Sequence, residues 1–227
     1  MQKFIIIAID GPAASGKSTL AKYLADKLSF LYVDTGAMYR AITYYALEKN
    51  IVEDEHAVIE AVRNINLKLD YSNGITKVLI DGDNVTNNIR TPRVNAKVSD
   101  ISRIKDVRTE LVKLQQKFGE NDNLIVEGRD TTTVVFPNAD LKIFLTADVS
   151  ERARRRHLEF IERGVEISLD EVEKSISNRD KIDSGREVSP LIKAEDAIEV
   201  DTTNLTIEEE IERIVKRVEE LTEKEIG

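Results

Sequence analysis

The stretch Gly11-Pro12-Ala13-Ala14-Ser15-Gly16-Lys17-Ser18-Thr19 constrains this chain more than any other. Gly11, Gly16, Lys17 and Ser18 fill the pattern G-x-x-x-x-G-K-[S/T], and each position has a physical task. Glycines let the backbone curl until successive N–H groups point into one concavity, which holds anions at a helix N-terminus. A lysine at the seventh position reaches the β- and γ-phosphates of a nucleotide, and the serine hydroxyl after it is placed for Mg2+. The flanks agree. Phe4 to Ile9 (FIIIAI) is an apolar, mostly β-branched run suited to a buried strand. Leu20, Ala21, Leu24, Ala25 and Leu28 recur at the spacing of an amphipathic helix. Strand, glycine loop and helix together predict a nucleotide-phosphate cradle from Gly11 to Thr19.

Composition narrows the partners. The 227 residues contain no cysteine, which excludes disulfides and thiolate chemistry and fits a reducing compartment. The chain reaches its first strand almost at once, leaving no room for a signal peptide, and no apolar run is long enough to span a membrane, so a cytoplasmic protein without a membrane partner is expected. A net charge of −9 argues against nucleic acid as a partner. From Glu195 to Gly227 there are twelve Asp or Glu against four Lys or Arg, so the first 194 residues are near neutral. Arginines there can build a local positive pocket.

Along the chain, Phe30 to Val33 reads as a second strand ending in Asp34-Thr35-Gly36-Ala37-Met38-Tyr39-Arg40, and ligands of open parallel sheets lie beyond such strand ends. Helices are predicted over 41–47 and 57–65. Alternation in Leu67 to Tyr71, a Ser72-Asn73-Gly74 turn and Ile75 to Ile80 predict a β-hairpin. A stripe from Val94 through Ile101, Ile104 and Val107 to Leu114 predicts one helix over 93–118. Leu124 to Val126 is a buried strand that ends in Glu127-Gly128-Arg129-Asp130-Thr131-Thr132-Thr133, and Leu141 to Leu145 is another. Glu151 to Arg186 balances nine basic against nine acidic residues, which suits an arginine-bearing mobile lid rather than a nucleic-acid arm. Spacing places Arg179, Asp183 and Arg186 on one helix face, although Gly185 interrupts it. Ala197 to Asp201 is a fifth strand. Thr206 caps a last helix striped by Ile207, Ile211, Ile214, Val215, Val218 and Leu221. His56 and His157 are isolated and carry no metal spacing.

These segments, taken in order, resemble the cytidylate kinase family of P-loop nucleoside monophosphate kinases: IDGPAASGKST, DTGAMYRA, the helix with Ser99 and Arg108, EGRD before TVVFP, ERARRR, RDKIDSGR, then SPL and VDTT. The resemblance spans nearly the whole chain. It implies an α/β P-loop NTPase three-layer fold with a five-stranded parallel sheet, an inserted antiparallel monophosphate-binding subdomain and a helical lid. The division it implies is a core of 1–34, 93–150 and 190–227, a monophosphate-binding region of 35–92 with the hairpin near 66–90, and a lid of 151–189. It implies ATP and Mg2+ as co-substrate and cofactor, CMP or dCMP as acceptor, and a monomer. Thr35, Tyr39, Arg40 and Arg129 would hold the acceptor phosphate; Ser99, Arg108 and Asp130 would read the cytosine; Asp183 would meet the ribose; Arg179 and Arg186 would close from the lid. Arg152, Arg155 and Arg156 match lid-base arginines that approach ATP, and Arg154 matches a variable position. Where relatives read GRDIGT, this chain has Thr131 and Thr132, and a glycine replaced at a positive φ would leave Thr132 strained.

Phosphoryl transfer asks mainly for positioning and charge stabilisation. Lys17, Arg129 and Arg179 are the expected catalytic residues, Ser18 the metal ligand, and Asp34 a holder of metal-bound water. A GTPase switch is disfavoured because no N-K-x-D motif occurs, and a motor ATPase because no clear Walker B acid pair ends a strand. Shikimate and dephospho-coenzyme A kinases share the loop but not DTGAMYR, GRD and RDxxDSxR. UMP or AMP as main acceptor stays open.

Overall fold

The computed structural model describes residues 4–72, 75–162 and 164–226, with the side chains of 72, 75, 207, 210 and 220–226 left out as well. Asn73 and Gly74 of the predicted turn lie outside the described residues, as do the side chains of Ile207 and Leu221.

Strand β1 (Ile6–Asp10) sits at the centre of a sheet because its neighbours on both sides are apolar runs with nothing to gain from water. Among the described residues this sheet has five parallel strands in the order β2 (Leu31–Asp34), β6 (Leu124–Gly128), β1, β7 (Leu141–Thr146) and β8 (Ile198–Asp201). Asp10 pairs in register with Gly128, so the loop after β1 and the loop after β6 leave the sheet side by side. Helix α1 (Lys17–Leu28) lays Leu20, Ala21, Leu24 and Ala25 against one face of the sheet. The last helix, α8 (Ile207–Ile226), adds Ile214 and Val218 to that layer. Thr206 opens α8 as predicted, accepting from the Glu209 amide at 3.2 Å while Glu209 accepts from the Thr206 amide at 2.9 Å.

Helices α2 (Thr35–Glu48) and α3 (Glu55–Asn64) and a small antiparallel sheet of β3 (Leu67–Ser72), β4 (Ile75–Ile80) and β5 (Asp83–Asn84) gather around a separate apolar cluster that includes Ala37, Met38, Val58, Val78 and Val85. The predicted hairpin is present, and its Tyr71 ring meets Tyr32 of edge strand β2 edge-on at 5.3 Å. Capping the sheet edge in this way removes a row of open strand groups from reach of other chains. Helix α2 begins earlier than the sequence suggested: Asp34 accepts from the Ala37 amide at 2.9 Å, so the DTGAMYR stretch is the first turns of a helix rather than a loop.

The single helix predicted over 93–118 is two, α4 (Pro92–Ser102) and α5 (Lys105–Phe118). Ile101, Ile104 and Val107 stay on the buried side through the break, so the stripe conceals it. The carbonyl of Ser102 freed at the break accepts from the Arg108 guanidinium at 2.9 Å. Beyond β7, α6 (Val149–Glu162) and α7 (Leu169–Ser184) pack through Ala153, Val172 and Ile176, with Ala14 of the glycine loop touching the same cluster. Gly185 ends α7, and Arg186 lies just past it.

Candidate active site

The glycine loop takes the predicted shape. Gly11 and Gly16 both adopt positive φ, at 154° and 97°. Gly11 has no room for a side chain, since a Cβ there would lie 2.1 Å from the Leu145 carbonyl oxygen. Gly16 offers no side chain to cap α1, leaving the first amides of the helix to meet an anion. Lys17 folds back over the loop, donating to the Pro12 carbonyl at 2.6 Å and to Ser15 Oγ at 3.2 Å. Burial, with Arg129 alongside, brings its amine down to about 7 against the pull of Glu127 and Asp10. A phosphate arriving here would supply the missing counter-charge. Ser18 and Thr19 stand exposed at the mouth.

The predicted acceptor residues other than Asp183 converge from five elements onto one groove of about 590 Å3 that opens at the loop. Thr35, Tyr39 and Arg40 come from the start of α2, Ser99 from α4, Arg108 from α5, Arg129 and Asp130 from the end of β6, and Arg179 and Arg186 from the end of α7. Among the described residues the lining carries nine Lys or Arg and five Asp or Glu, an excess of positive charge in a chain whose net charge is −9. Such a cleft concentrates anions.

Within it, Arg108 is buried between Asp130, which accepts at 2.5 Å, and the ring of Tyr39, 5.1 Å from the guanidinium carbon. The buried Tyr39 hydroxyl has its pKa pushed up by burial. Thr35 donates its hydroxyl to the Glu127 carbonyl at 2.7 Å, and Arg40 donates to Asn95. Asp183 is fully buried behind the lining: Arg129 donates to it at 2.9 Å, Arg186 pairs with its other oxygen, and Arg179 stands 3.8 Å away. Burial would raise its pKa, but the three guanidinium groups outweigh that and hold it below the usual carboxylate range.

The arginines at the base of α6 divide. Arg156 lines the groove and lies over Phe160 at 4.7 Å. Arg155 instead grips Thr202, donating to its hydroxyl at 3.0 Å and its carbonyl at 2.6 Å. Arg152 is buried as a strut, donating to Ala13 of the loop at 3.1 Å and to Asp180 of α7 at 2.6 Å. Arg154 pairs at the surface with Glu151.

Two features escaped the sequence reading. Glu127 is a buried carboxylate on the groove wall, receiving the Tyr32 hydroxyl at 2.5 Å and facing Ser18, Lys17 and Asp34. Burial and the neighbouring Asp34 raise its pKa. Its place at a strand's carboxyl end was the available signal. Among the described residues no group of three or more His, Cys, Asp or Glu forms a metal site. The Ser18 hydroxyl with Glu127 and Asp34 nearby is a set of hard oxygen donors that fits Mg2+, an ion that keeps several waters of its own. Asp34 is also occupied otherwise, capping α2 and pairing with Arg90 at 3.1 Å.

The second feature concerns Thr131 and Thr132. The expected strain is absent: neither residue has a positive φ, and both lie in a π-helical turn over Thr131–Val135. Their amides and hydroxyls all point at the Asp10 carboxylate.

A parallel sheet with a phosphate loop after its central strand, and a cationic groove beside that loop, define a P-loop nucleotide-binding protein of the phosphotransferase type. The chain belongs to the cytidylate kinase family, whose sequence model matches residues 7–220. It is 55% identical over 218 residues to the cytidylate kinase of Fusobacterium nucleatum subsp. nucleatum, covering 96% of this chain and 98% of that one. Identity to the cytidylate kinase of Bacillus cereus (strain ATCC 10987 / NRS 248) is 48% over 219 residues, covering 96% and 97%. A crystal structure of an uncharacterized protein from Eubacterium ventriosum ATCC 27560 shares the fold, with a TM-score of 0.52 at 15% identity over 96% of this chain and 99% of that one.

Proposed function

We propose that the groove is where this chain, a cytidylate kinase by family, transfers the γ-phosphate of ATP to CMP or dCMP, giving ADP and CDP or dCDP. The observation that carries the reading is the joining of two unlike ends in one cleft: the phosphate loop with Lys17, and the buried Arg108–Asp130 pair under Tyr39. The first suits a triphosphate, the second a flat polar base.

In this reading the amides from Gly11 to Thr19, through Pro12, Ala13, Ala14, Ser15 and Gly16, cradle the ATP phosphates, and Lys17 leaves Pro12 and Ser15 to bind them. Arg155 and Arg156 border the ATP side. Ser18 would hold Mg2+, and Glu127 and Asp34 would accept hydrogen bonds from waters the ion carries. When bound, the ion neutralises charge between the β- and γ-phosphates. Thr35, Tyr39, Arg40 and Arg129 hold the acceptor phosphate, while Ser99, Arg108 and Asp130 read the base. Asp183 exchanges an arginine for the ribose hydroxyls. Arg129 and Arg179 are then free to face the transferred group, where fixed guanidinium groups stabilise the spreading charge. The acceptor phosphate is already a dianion, so no side chain takes a proton. Closure of α6 and α7 excludes water, which would otherwise accept the phosphoryl group.

The same reading divides the chain into a P-loop core of 1–34, 93–150 and 190–227, a monophosphate-binding region of 35–92 and a lid of 151–189. The reading takes the protein to be a monomer that works on small-molecule substrates in the cytoplasm. Among the described residues no helix is long and apolar enough to cross a membrane. A coupled assay of ADP release with ATP, Mg2+ and CMP, dCMP, UMP, AMP or no acceptor tests the reading. Rapid release is expected with CMP or dCMP. Equal release without an acceptor overturns it.

A further inference from the structure

Where β1 and β6 end, the main-chain ladder between them ends too: Asp10 opposite Gly128 is the last pair in register. Beyond it one chain becomes the phosphate loop and the other becomes Arg129 and Asp130. The next link across the gap is the Asp10 carboxylate, which is fully buried. Its Oδ1 accepts from the Thr131 amide at 2.9 Å and the Thr131 hydroxyl at 2.7 Å. Its Oδ2 accepts from the Thr132 amide at 2.7 Å and the Thr132 hydroxyl at 2.6 Å. The π-helical turn is itself closed, with the Val134 and Val135 amides returning to the Asp130 carbonyl and the Phe136 amide to that of Thr131. Each donor is thereby held in direction as well as in reach.

We propose that Thr131 and Thr132 are positioning residues for phosphoryl transfer: through Asp10 they fix the spacing between the loop that holds the donor and the Arg129–Asp130 strand end that holds the acceptor. The proposal rests on the kinase reading above. Any residue at these positions would present two amides to Asp10; the hydroxyls, half of the four donors, are what threonine adds. A carboxylate removed from water needs that full set, and burial already raises the pKa of Asp10 despite it. With two donors gone, the carboxylate has reason to turn or to take a proton, and the loop attached to it at Gly11 moves with it. Transfer between two bound phosphates is sensitive to this, since a misplacement of about 1 Å can cost on the order of a hundredfold in rate. Binding of each nucleotide by itself is not, because each half of the site keeps its own contacts.

The test replaces both hydroxyls by methyls in Thr131→Val/Thr132→Val and restores them in Thr131→Ser/Thr132→Ser. Both proteins are checked by thermal melting to be folded at the assay temperature. Turnover of the native chain with CMP tests the kinase reading; the ratio of variant to native tests this one. The valine variant is expected to lose threefold or more in kcat, with KM for ATP and CMP within twofold, and the serine variant to recover most of it. A smaller loss of kcat overturns the proposal, as does a loss that appears equally in KM or that serine fails to repair, for then the hydroxyls serve only to stabilise the fold. If the double valine variant is unfolded at the assay temperature, Thr132→Val with Thr132→Ser is read by the same threshold.

Discussion

Arg108 and Asp130 meet at 2.5 Å in the floor of the groove, with side chains 2% and 4% exposed. Each neutralises a charge that the other would leave stranded, so the pair is matched to itself as well as to a base. Replacing Arg108 by methionine leaves Asp130 buried without a partner, a change that costs about 3–5 kcal/mol when a buried pair is broken. The apparent affinity for CMP will fall at least tenfold, while ATP binding, followed by titration with a non-hydrolysable analogue, will stay within twofold. Equal loss of both would remove Arg108 from the acceptor half.

Lys17 makes the unliganded protein sensitive to pH in a direction that can be worked out. Its amine has an ordinary value of 10.5 and falls to about 7 in the fold, first through burial and then through Arg129. Between those values the unfolded chain binds the extra proton, so stability rises with pH across that window and is lost as pH falls toward 7. Urea unfolding of the native chain will therefore shift to higher midpoint between pH 7 and 10 relative to Lys17→Met, which lacks the titrating group. The methionine variant will also lose kcat by a hundredfold or more, because Lys17 is the amine folded over the loop, against Pro12 and Ser15. Parallel midpoints for the two proteins would contradict the burial of an uncompensated amine.

What the sequence disclosed and what it concealed divide along physical lines. The glycine loop, the five core strands and the hairpin rest on local pattern, and they form where that pattern put them. The break between α4 and α5 stayed hidden because Ile101, Ile104 and Val107 share a buried side whether or not the helix is continuous. Arg152, Arg155 and Arg156 are indistinguishable as letters, yet one is a strut, one grips Thr202 and one faces the groove. Their fates follow from how α6 is rotated against α7 and the glycine loop, which no residue on α6 states alone. Thr132 read as a strained substitute because a missing glycine is visible in sequence, whereas the carboxylate 122 positions away that uses its hydroxyl is not.

Asp183 is the counter-charge for three arginines, and its removal should be felt most without substrate. In Asp183→Asn the guanidinium groups of Arg129, Arg179 and Arg186 remain crowded with no anion between them. Melting of the unliganded variant will come several degrees below that of the native chain. Added CMP will raise it by more than it raises the native temperature, because the acceptor phosphate then supplies the missing charge. An identical CMP-induced rise in both proteins would mean that Asp183 does not compete for the arginines the phosphate uses.

Gly11 tests the packing of the loop apart from its charge. An added Cβ would lie 2.1 Å from the Leu145 carbonyl oxygen and 3.0 Å from Ser15 Oγ, and the first of these is backbone in the strand beside β1. Neither neighbour can yield without moving β7 or the loop, and the loop is the softer of the two. Overpacking of this kind costs about 1–3 kcal/mol, which in a chain of this size lowers Tm by roughly 2–4 °C for each kcal/mol. Gly11→Ala will therefore melt several degrees early and bind ATP at least tenfold more weakly, since the displaced amides no longer converge on the phosphates. CMP binding, which depends on residues beyond β6 and on α2, α4, α5 and α7, will change by less than threefold. A variant that melts early with ATP affinity intact would show that the loop absorbs the methyl without losing its shape.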